Sequence, residues 1–182
     1  RIPYKTMIEI SNDTLKITLH APDGGKGYYR GTRFDWAGIF RSIEYKGCNY
    51  TEEWFENYSP LMHDAVCGPA EEFAPIGLDD AQVGEPFLKI GVGMLEKMEG
   101  PYDRFRLHNI IDPGRRTIEV RGDSVVFGHI LDTDSGYAYE YFTFNASKVV
   151  SLLVSSNTVK YTFAKLKSDV VSTPVIVTNL IS

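Results

Sequence analysis

The sequence predicts an all-β protein, an antiparallel β-sandwich formed by a single domain over residues 1–182. Three observations predict it. Apolar and polar residues alternate with a period of two in several segments, as in half-buried strands whose successive side chains point to opposite faces. Turn-forming residues separate these segments at short intervals. No segment carries a sustained helical stripe, and only 62–73 is suited to a short helical turn.

The alternation predicts strands in both halves of the chain. An early strand carries three apolar residues on one face, and a central strand carries two. Two more such faces follow near the end, and the run GYAYEYFTF (136–144) is rich in aromatic residues that favour strands. In chain order the apolar faces are Leu15, Ile17 and Leu19; Ile118 and Val120; Val150, Leu152 and Val154; and Val159, Tyr161 and Phe163.

Turn sequences connect these strands, and two of them imitate functional motifs. RGDS (121–124) resembles an adhesion tripeptide, but it joins two strand-like runs and is interpreted as a hairpin turn. DTDSG (132–136) resembles the start of a calcium loop, yet Thr143 stands where that loop needs a glutamate, so a turn is predicted. GVG (91–93) is interpreted as part of a strand-like run, because it lacks the third glycine of a dinucleotide fingerprint. The other turns are PDGGKG (22–27) and DPGRR (112–116).

The segment YYRGTRFDWAGIF (28–40) combines aromatic side chains with arginines and an aspartate. We interpret it as a strand whose two faces have different environments. Arg33 and Asp35 would lie on a concave polar side, and Phe34 and Trp36 would lie in the core. The alternation would then satisfy the charged and the apolar side chains together.

The composition argues against several classes of partner. The net charge is -5 and no Lys/Arg tract is present, so neither nucleic acid nor an anionic membrane is a predicted partner. No apolar run approaches the roughly 20 residues that a membrane helix needs. The chain starts at Arg1 without a signal peptide, and cytoplasmic and bacterial periplasmic locations both stay open.

The cysteines and histidines predict no metal site. Cys48 and Cys67 do not form a CxxC motif, and the four histidines are scattered without metal-ligand spacing. Two buried free thiols are favoured over a Cys48–Cys67 disulfide, which stays open as the alternative.

The remaining polar residues are of the types that bind sugars. Arginine and carboxylates bind hydroxyl groups through charge-assisted hydrogen bonds, and an aromatic face covers the apolar side of a sugar ring. Each candidate also has a structural interpretation: Arg33 and Asp35 as a solvated pair, Trp36 as core, His63–Asp64 as a turn cap, Glu71–Glu72 as solvated charges. The predicted ligand-binding residues are Arg33, Asp35, Glu71, Glu72 and His108.

Three segments resemble bacterial proteins of the galactose mutarotase-like (aldose 1-epimerase-like) family. They are residues 27–47, 54–73 and 87–97, and GTRFDW and GPAEEF are their most specific elements. The resemblance covers about residues 5–145. It implies a large antiparallel supersandwich that binds a monosaccharide or glycan on a concave sheet face. It also implies general acid–base interconversion of sugar anomers, which requires no metal and no cofactor.

The resemblance does not assign the catalytic pair. The chain ends in STPVIVTNLIS (172–182), just before the stretch where similar proteins carry a histidine that looks like the acid. This implies the first part of a longer mutarotase-like domain, with His108 and Glu72 as substitute candidates. We therefore expect no mutarotation above background, and self-association through an exposed sheet edge. The alternatives are a non-catalytic carbohydrate-binding β-sandwich and an interaction domain that has lost the site.

Overall fold

A computed structural model describes residues 7–51, 57–66, 68–132, 143–153 and 158–165. Within these ranges the chain forms antiparallel strands and a single 3-10 turn, His63–Ala65, which lies inside the predicted segment 62–73. The strands are β1 (Met7–Ser11), β2 (Leu15–His20), β3 (Ile39–Tyr45), β4 (Cys48–Asn49), β5 (Pro86–Lys89), β6 (Gly93–Glu96), β7 (Ile110–Asp112), β8 (Arg115–Arg121), β9 (Ser124–Asp132), β10 (Thr143–Leu153) and β11 (Thr158–Lys165).

The strands form three antiparallel sheets. The first has the order β1-β2-β3-β4, the second β11-β10-β9-β8, and the third β5-β6-β7. Within each sheet, strands that follow one another in the chain are neighbours, and short turns connect most of these pairs. No described helix is long and apolar enough to cross a membrane.

The first two sheets share one apolar core. Apolar side chains of β1, β2 and β3 pack in one cluster with Val125 and Phe127 of β9. Leu15, Ile17 and Leu19 are all buried in this cluster, so the alternation predicted for this strand is confirmed. The predicted all-β, antiparallel, sandwich-like fold is therefore confirmed.

The second sheet contains the predicted hairpin and the two predicted late strands. RGDS forms the hairpin turn between β8 and β9, where Arg121 pairs with Ser124 and Gly122 has φ 58. The two late apolar segments lie in β10 and β11. Val154, Cys67, most of 132–144 and the terminal 172–182 edge lie outside the described residues.

Four local predictions are wrong. Residues 31–38 form bends and turns, and β3 begins only at Ile39, so 28–40 is mostly loop. GVG (91–93) is largely the turn between β5 and β6, with φ values of 77 at Gly91 and 146 at Gly93. Val120 is exposed because it lies on β8, the outer strand of its sheet. Cys48 is a free thiol but an exposed one, because β4 is a two-residue outer strand.

A second core supports the loop that contains Trp36. Side chains of β5 and β6 pack with that loop and with the start of β3, including Phe87, Leu95 and Ile39. The loop is also joined to the β5–β6 turn by a hydrogen bond of 3.1 Å from the Trp36 N–H to the Gly91 carbonyl. This packing fixes the loop that carries the candidate arginine.

Candidate functional site

Arg33 is held in one orientation by contacts on three sides. Its Nε donates to Glu72 Oε2 at 3.0 Å. Its guanidinium carbon lies 4.6 Å from the ring centre of Phe34 and 4.7 Å from that of Phe105, so aromatic rings contact it twice. The terminal amines of Arg33 make no hydrogen bond within the described chain, which leaves them available to a ligand.

Glu72 is the centre of a charged group that it forms with Arg33 and Arg104. Its Oε2 atom also lies 3.6 Å from Nη1 of Arg104, so two guanidinium groups share one carboxylate. Its negative charge further raises the pKa of Tyr102, which burial already raises. The carboxylate therefore connects the loop around Arg33 with the segment 102–105.

Lys89 lies beneath this group and is only 1% exposed. Its ammonium group donates to the Phe73 carbonyl and lies 5.7 Å from the ring centre of Tyr102. Burial lowers the pKa of Lys89; Glu72 opposes this shift, and Arg104 and Arg33 add to it.

Tyr102 and His108 form an aromatic wall. Their rings stack with centres 5.3 Å apart and an angle of 21° between them, and Phe87 contacts both edge-on. The backbone N–H of His108 donates to Thr32 Oγ1 at 3.2 Å, and its Nε2 lies 3.3 Å from the Asp103 carbonyl. The Tyr102 hydroxyl and the His108 Nδ1 are buried without a hydrogen-bond partner in the described structure.

Both rings line a cavity of about 200 Å³. Asp79, Lys97 and Arg106 bring charged groups to the same cavity. The Lys97 ammonium donates to the carbonyls of Leu78 and Ala81, at 2.9 and 2.6 Å, and so holds the segment around Leu78 that also lines the cavity. A concave site lined by aromatic rings and a few charged side chains is typical of one that binds a polar ligand.

Asp35 does not share a strand face with Arg33, contrary to the predicted alternation, because no strand forms at 31–38. It is buried, and its Oδ1 accepts the Ala37 N–H at 2.8 Å. Its charge acts on Arg116: burial lowers the pKa of Arg116 to about 10, and Asp35 opposes that shift. Arg116 donates to the Gly91 and Val92 carbonyls and covers the Trp36 ring, so Asp35 belongs to a buried structural group.

The other two candidate positions lie beside the charged group. The Glu71 carbonyl accepts the Asp35 N–H at 2.9 Å, which fixes the 71–72 segment against the loop. His63 Nε2 lies 3.0 Å from Asp64 Oδ1, and its ring contacts the edge of Phe105 at 5.3 Å. The structure thus brings Arg33 and Glu72 into contact, whereas His108 contacts Tyr102 and lines a cavity that neither Arg33 nor Glu72 lines.

Sequence reasoning missed four members of this arrangement, namely Lys89, Tyr102, Arg104 and Phe105. The last three lie in PYDRFRL (101–107), the segment that precedes His108. A dense mixture of aromatic and arginine residues was the available signal. Lys89 stands in the apolar run FLKIG, which predicts a buried strand. A lysine in such a run was the available signal, because lysine is rarely fully buried without a special role.

No group of three or more histidine, cysteine, aspartate or glutamate side chains that could hold a metal occurs among the described residues.

Comparisons with known proteins return no matching family model, no matching curated protein and no matching solved structure.

Proposed function

We propose that the chain binds a monosaccharide, as a mutarotase-like domain, through Arg33, Glu72 and the wall formed by Tyr102 and His108. One observation carries this proposal. The Arg33 guanidinium is fixed by two aromatic rings and by Glu72 while its terminal amines have no partner in the described chain. A donor pair held in place in this way loses little conformational entropy when it binds hydroxyl groups.

The surrounding groups complete a sugar-binding chemistry. Glu72 can accept hydrogen bonds from hydroxyls, and Phe105, 59% exposed, offers a ring face to the apolar side of a pyranose. The neighbouring cavity of about 200 Å³, below the roughly 300–1,000 Å³ of drug-sized sites, is of a size that suits one sugar ring; it is lined by Tyr102 and His108, and not by Arg33 or Glu72.

Titration calorimetry with glucose and galactose tests the proposal. We expect Arg33→Ala to weaken binding by about 1.5–3 kcal/mol, the cost of a lost hydrogen bond to a charged group. The matched control is Arg121→Ala, which removes the same charge from an exposed pair with Glu119 and should leave affinity unchanged. Unchanged binding in a folded Arg33→Ala variant would remove Arg33 from the site.

A second candidate function is the interconversion of sugar anomers. It is favoured by His108, which lines the cavity and stacks on Tyr102, and by Glu72, whose charge acts on Tyr102. In this reaction a carboxylate takes the proton of the anomeric hydroxyl and an imidazolium donates a proton to the ring oxygen. The bond between C1 and the ring oxygen breaks, and the opened sugar rotates about C1–C2. The ring then closes on the other face of the C1 carbonyl.

Exchange spectroscopy by NMR on α- and β-glucose decides between the two candidates. If the chain is catalytic, His108→Gln and Glu72→Gln should each lower the exchange rate by roughly 10²–10⁴-fold. Exchange at the buffer rate in the unmodified chain, together with measurable binding, would restrict the function to carbohydrate binding.

A further inference from the structure

Exposed apolar side chains lie beside the candidate site, in two short segments of the chain. Leu61 and Met62 are 41% and 48% exposed, and Phe105 and Leu107 are 59% and 44% exposed. Large apolar side chains scattered singly over a surface need no explanation, but a group of them beside a polar site indicates a binding partner. We call these four residues the apolar rim.

Two ring contacts join the apolar rim to the arginine of the site. The ring centre of Phe105 lies 4.7 Å from the guanidinium carbon of Arg33. The same ring lies edge-on to His63, with ring centres 5.3 Å apart, and His63 directly follows Met62 in the chain. A ligand that contacts Arg33 and Phe105 is therefore close to the 61–62 segment.

We propose that the sugar bound at Arg33 and Glu72 carries an apolar group on its anomeric oxygen, and that the apolar rim binds this group. This inference rests on the proposed function and names its substrate class, a glycoside with an apolar aglycone. The sugar hydroxyls would bind the guanidinium and the carboxylate, and the aglycone would cover Met62, whose flexible thioether adapts to groups of different shape. A glycoside has no free anomeric hydroxyl, so this ligand favours carbohydrate binding over anomer interconversion.

The small extent of the apolar rim favours an aglycone over a protein partner. A standard protein interface takes roughly 20–30 residues from each side, and the rim has four. Charged residues also border the rim in the chain: the Asp64 side chain is 60% exposed, and Asp103, Arg104 and Arg106 are exposed around Phe105. A large apolar surface would desolvate these charges, which is costly. One ring or a short alkyl chain would cover the rim and leave them in water.

The test is calorimetric titration with the methyl and phenyl β-glycosides of glucose and galactose, and with phenol as the aglycone alone. We expect a phenyl glycoside to bind at least about tenfold more tightly than its methyl counterpart. Such a difference requires the burial of only roughly 60 Å² of additional apolar surface, at about 25 cal/mol per Å². Binding of the phenyl glycoside should also show the more negative heat-capacity change, which is the marker of apolar burial.

A double variant, Leu61→Ser with Met62→Ser, removes half of the apolar rim without touching Arg33 or Glu72. It should remove most of the preference for the phenyl glycoside and keep the affinity for the methyl glycoside. The matched control is Val120→Ser, which replaces an apolar side chain that is 51% exposed on β8 and should keep the preference. A preference that survives the double variant unchanged would overturn the assignment of the aglycone to the rim.

Three further results would count against the inference, and they differ in what they leave standing. Equal affinity for methyl and phenyl glycosides would overturn the apolar aglycone and leave sugar binding intact. Binding of phenol and phenyl glycosides, with no binding of the methyl glycosides or of the free sugars, would overturn sugar binding itself. A concentration-dependent dimer in sedimentation velocity that the double variant abolishes would show that a second copy of the chain covers the rim, and would overturn the aglycone.

Discussion

Trp36 shows how a single side chain stabilises the loop that carries the site. Its ring is 1% exposed, its Nε1 donates to the Gly31 carbonyl at 2.7 Å, and the Arg116 guanidinium lies 4.6 Å from the ring centre. We expect Trp36→Ala to lower the free energy of unfolding by about 3–5 kcal/mol, the range for removing a large buried aromatic ring. Urea unfolding followed by circular dichroism measures this loss.

The control for Trp36 is Tyr50→Ala, which removes an aromatic ring that is exposed. Its effect should stay within about 0.5 kcal/mol, because surface substitutions away from special contacts change stability little. A Trp36→Ala variant as stable as Tyr50→Ala would contradict the core role of the ring.

The residues of the loop show where sequence reasoning reached its limit. Trp36 was interpreted as core on its residue type, and this is confirmed. Alternation through 28–40 predicts that Asp35 shares a strand face with Arg33, and this is wrong because no strand forms at 31–38. The burial of this aspartate could not be predicted, since Arg116, whose pKa the Asp35 charge raises, lies far along the chain on β8.

Whole elements show the same contrast between features set by neighbouring residues and features set by distant ones. The alternation in β2 and the Gly-Asp turn of the β8–β9 hairpin depend on neighbouring residues, so the sequence predicts them. The candidate site depends on partners far apart, such as Arg33 with Glu72, 39 residues on, and Thr32 with His108, 76 residues on. Such pairs leave no periodic signal, and only the fold brings them together.

The β5–β6 turn is an element whose geometry can be tested with a matched pair of glycines. Gly91 has φ 77, and a Cβ there would lie 2.3 Å from Asp35 Cγ. Gly122, in the β8–β9 turn, has φ 58 and nothing within 4 Å of such a Cβ. Both substitutions impose a left-handed backbone on alanine, and only Gly91→Ala adds a steric clash.

We expect Gly122→Ala to cost about 1–2 kcal/mol of unfolding free energy, the strain of the left-handed conformation. Gly91→Ala should cost about 1–3 kcal/mol more, because Asp35 must move. The Gly91 carbonyl also accepts from Arg116 at 2.8 Å and from the Trp36 N–H at 3.1 Å, so the displacement reaches the loop of Arg33. Equal losses in parallel urea titrations would contradict the close approach of Gly91 to Asp35.

Across the whole molecule, two buried histidines link stability to pH. His20 lies on β2 and His129 on β9, strands of the first and second sheets. Burial, assisted by Arg41, lowers the pKa of His20 to about 4. Burial, assisted by Arg116, lowers the pKa of His129 to about 4, although the Pro113 carbonyl, Asp35 and Asp112 oppose the shift. Both rings are therefore neutral in the folded protein near neutral pH.

These pKa values predict that the protein loses stability as pH falls from about 6.5 to about 4. In this window the unfolded chain binds protons that the folded chain rejects, so acid favours unfolding, and below about 4 the loss from these histidines is complete. For His129 the loss between pH 7 and pH 5 is about 2 kcal/mol, and His20 adds to it in the same direction. Urea unfolding at both pH values measures the sum.

The variant His129→Gln separates the histidine contribution from that of carboxylates. Glutamine keeps a donor for the Pro113 carbonyl, which lies 3.0 Å from His129 Nε2, but it does not titrate. The loss of stability between pH 7 and pH 5 should therefore shrink by about 2 kcal/mol in this variant, and the His129 ring protons should titrate near pH 4 in NMR spectra of the unmodified protein. An unchanged pH dependence would mean that water or a nearby acid already compensates the charged ring in the folded state.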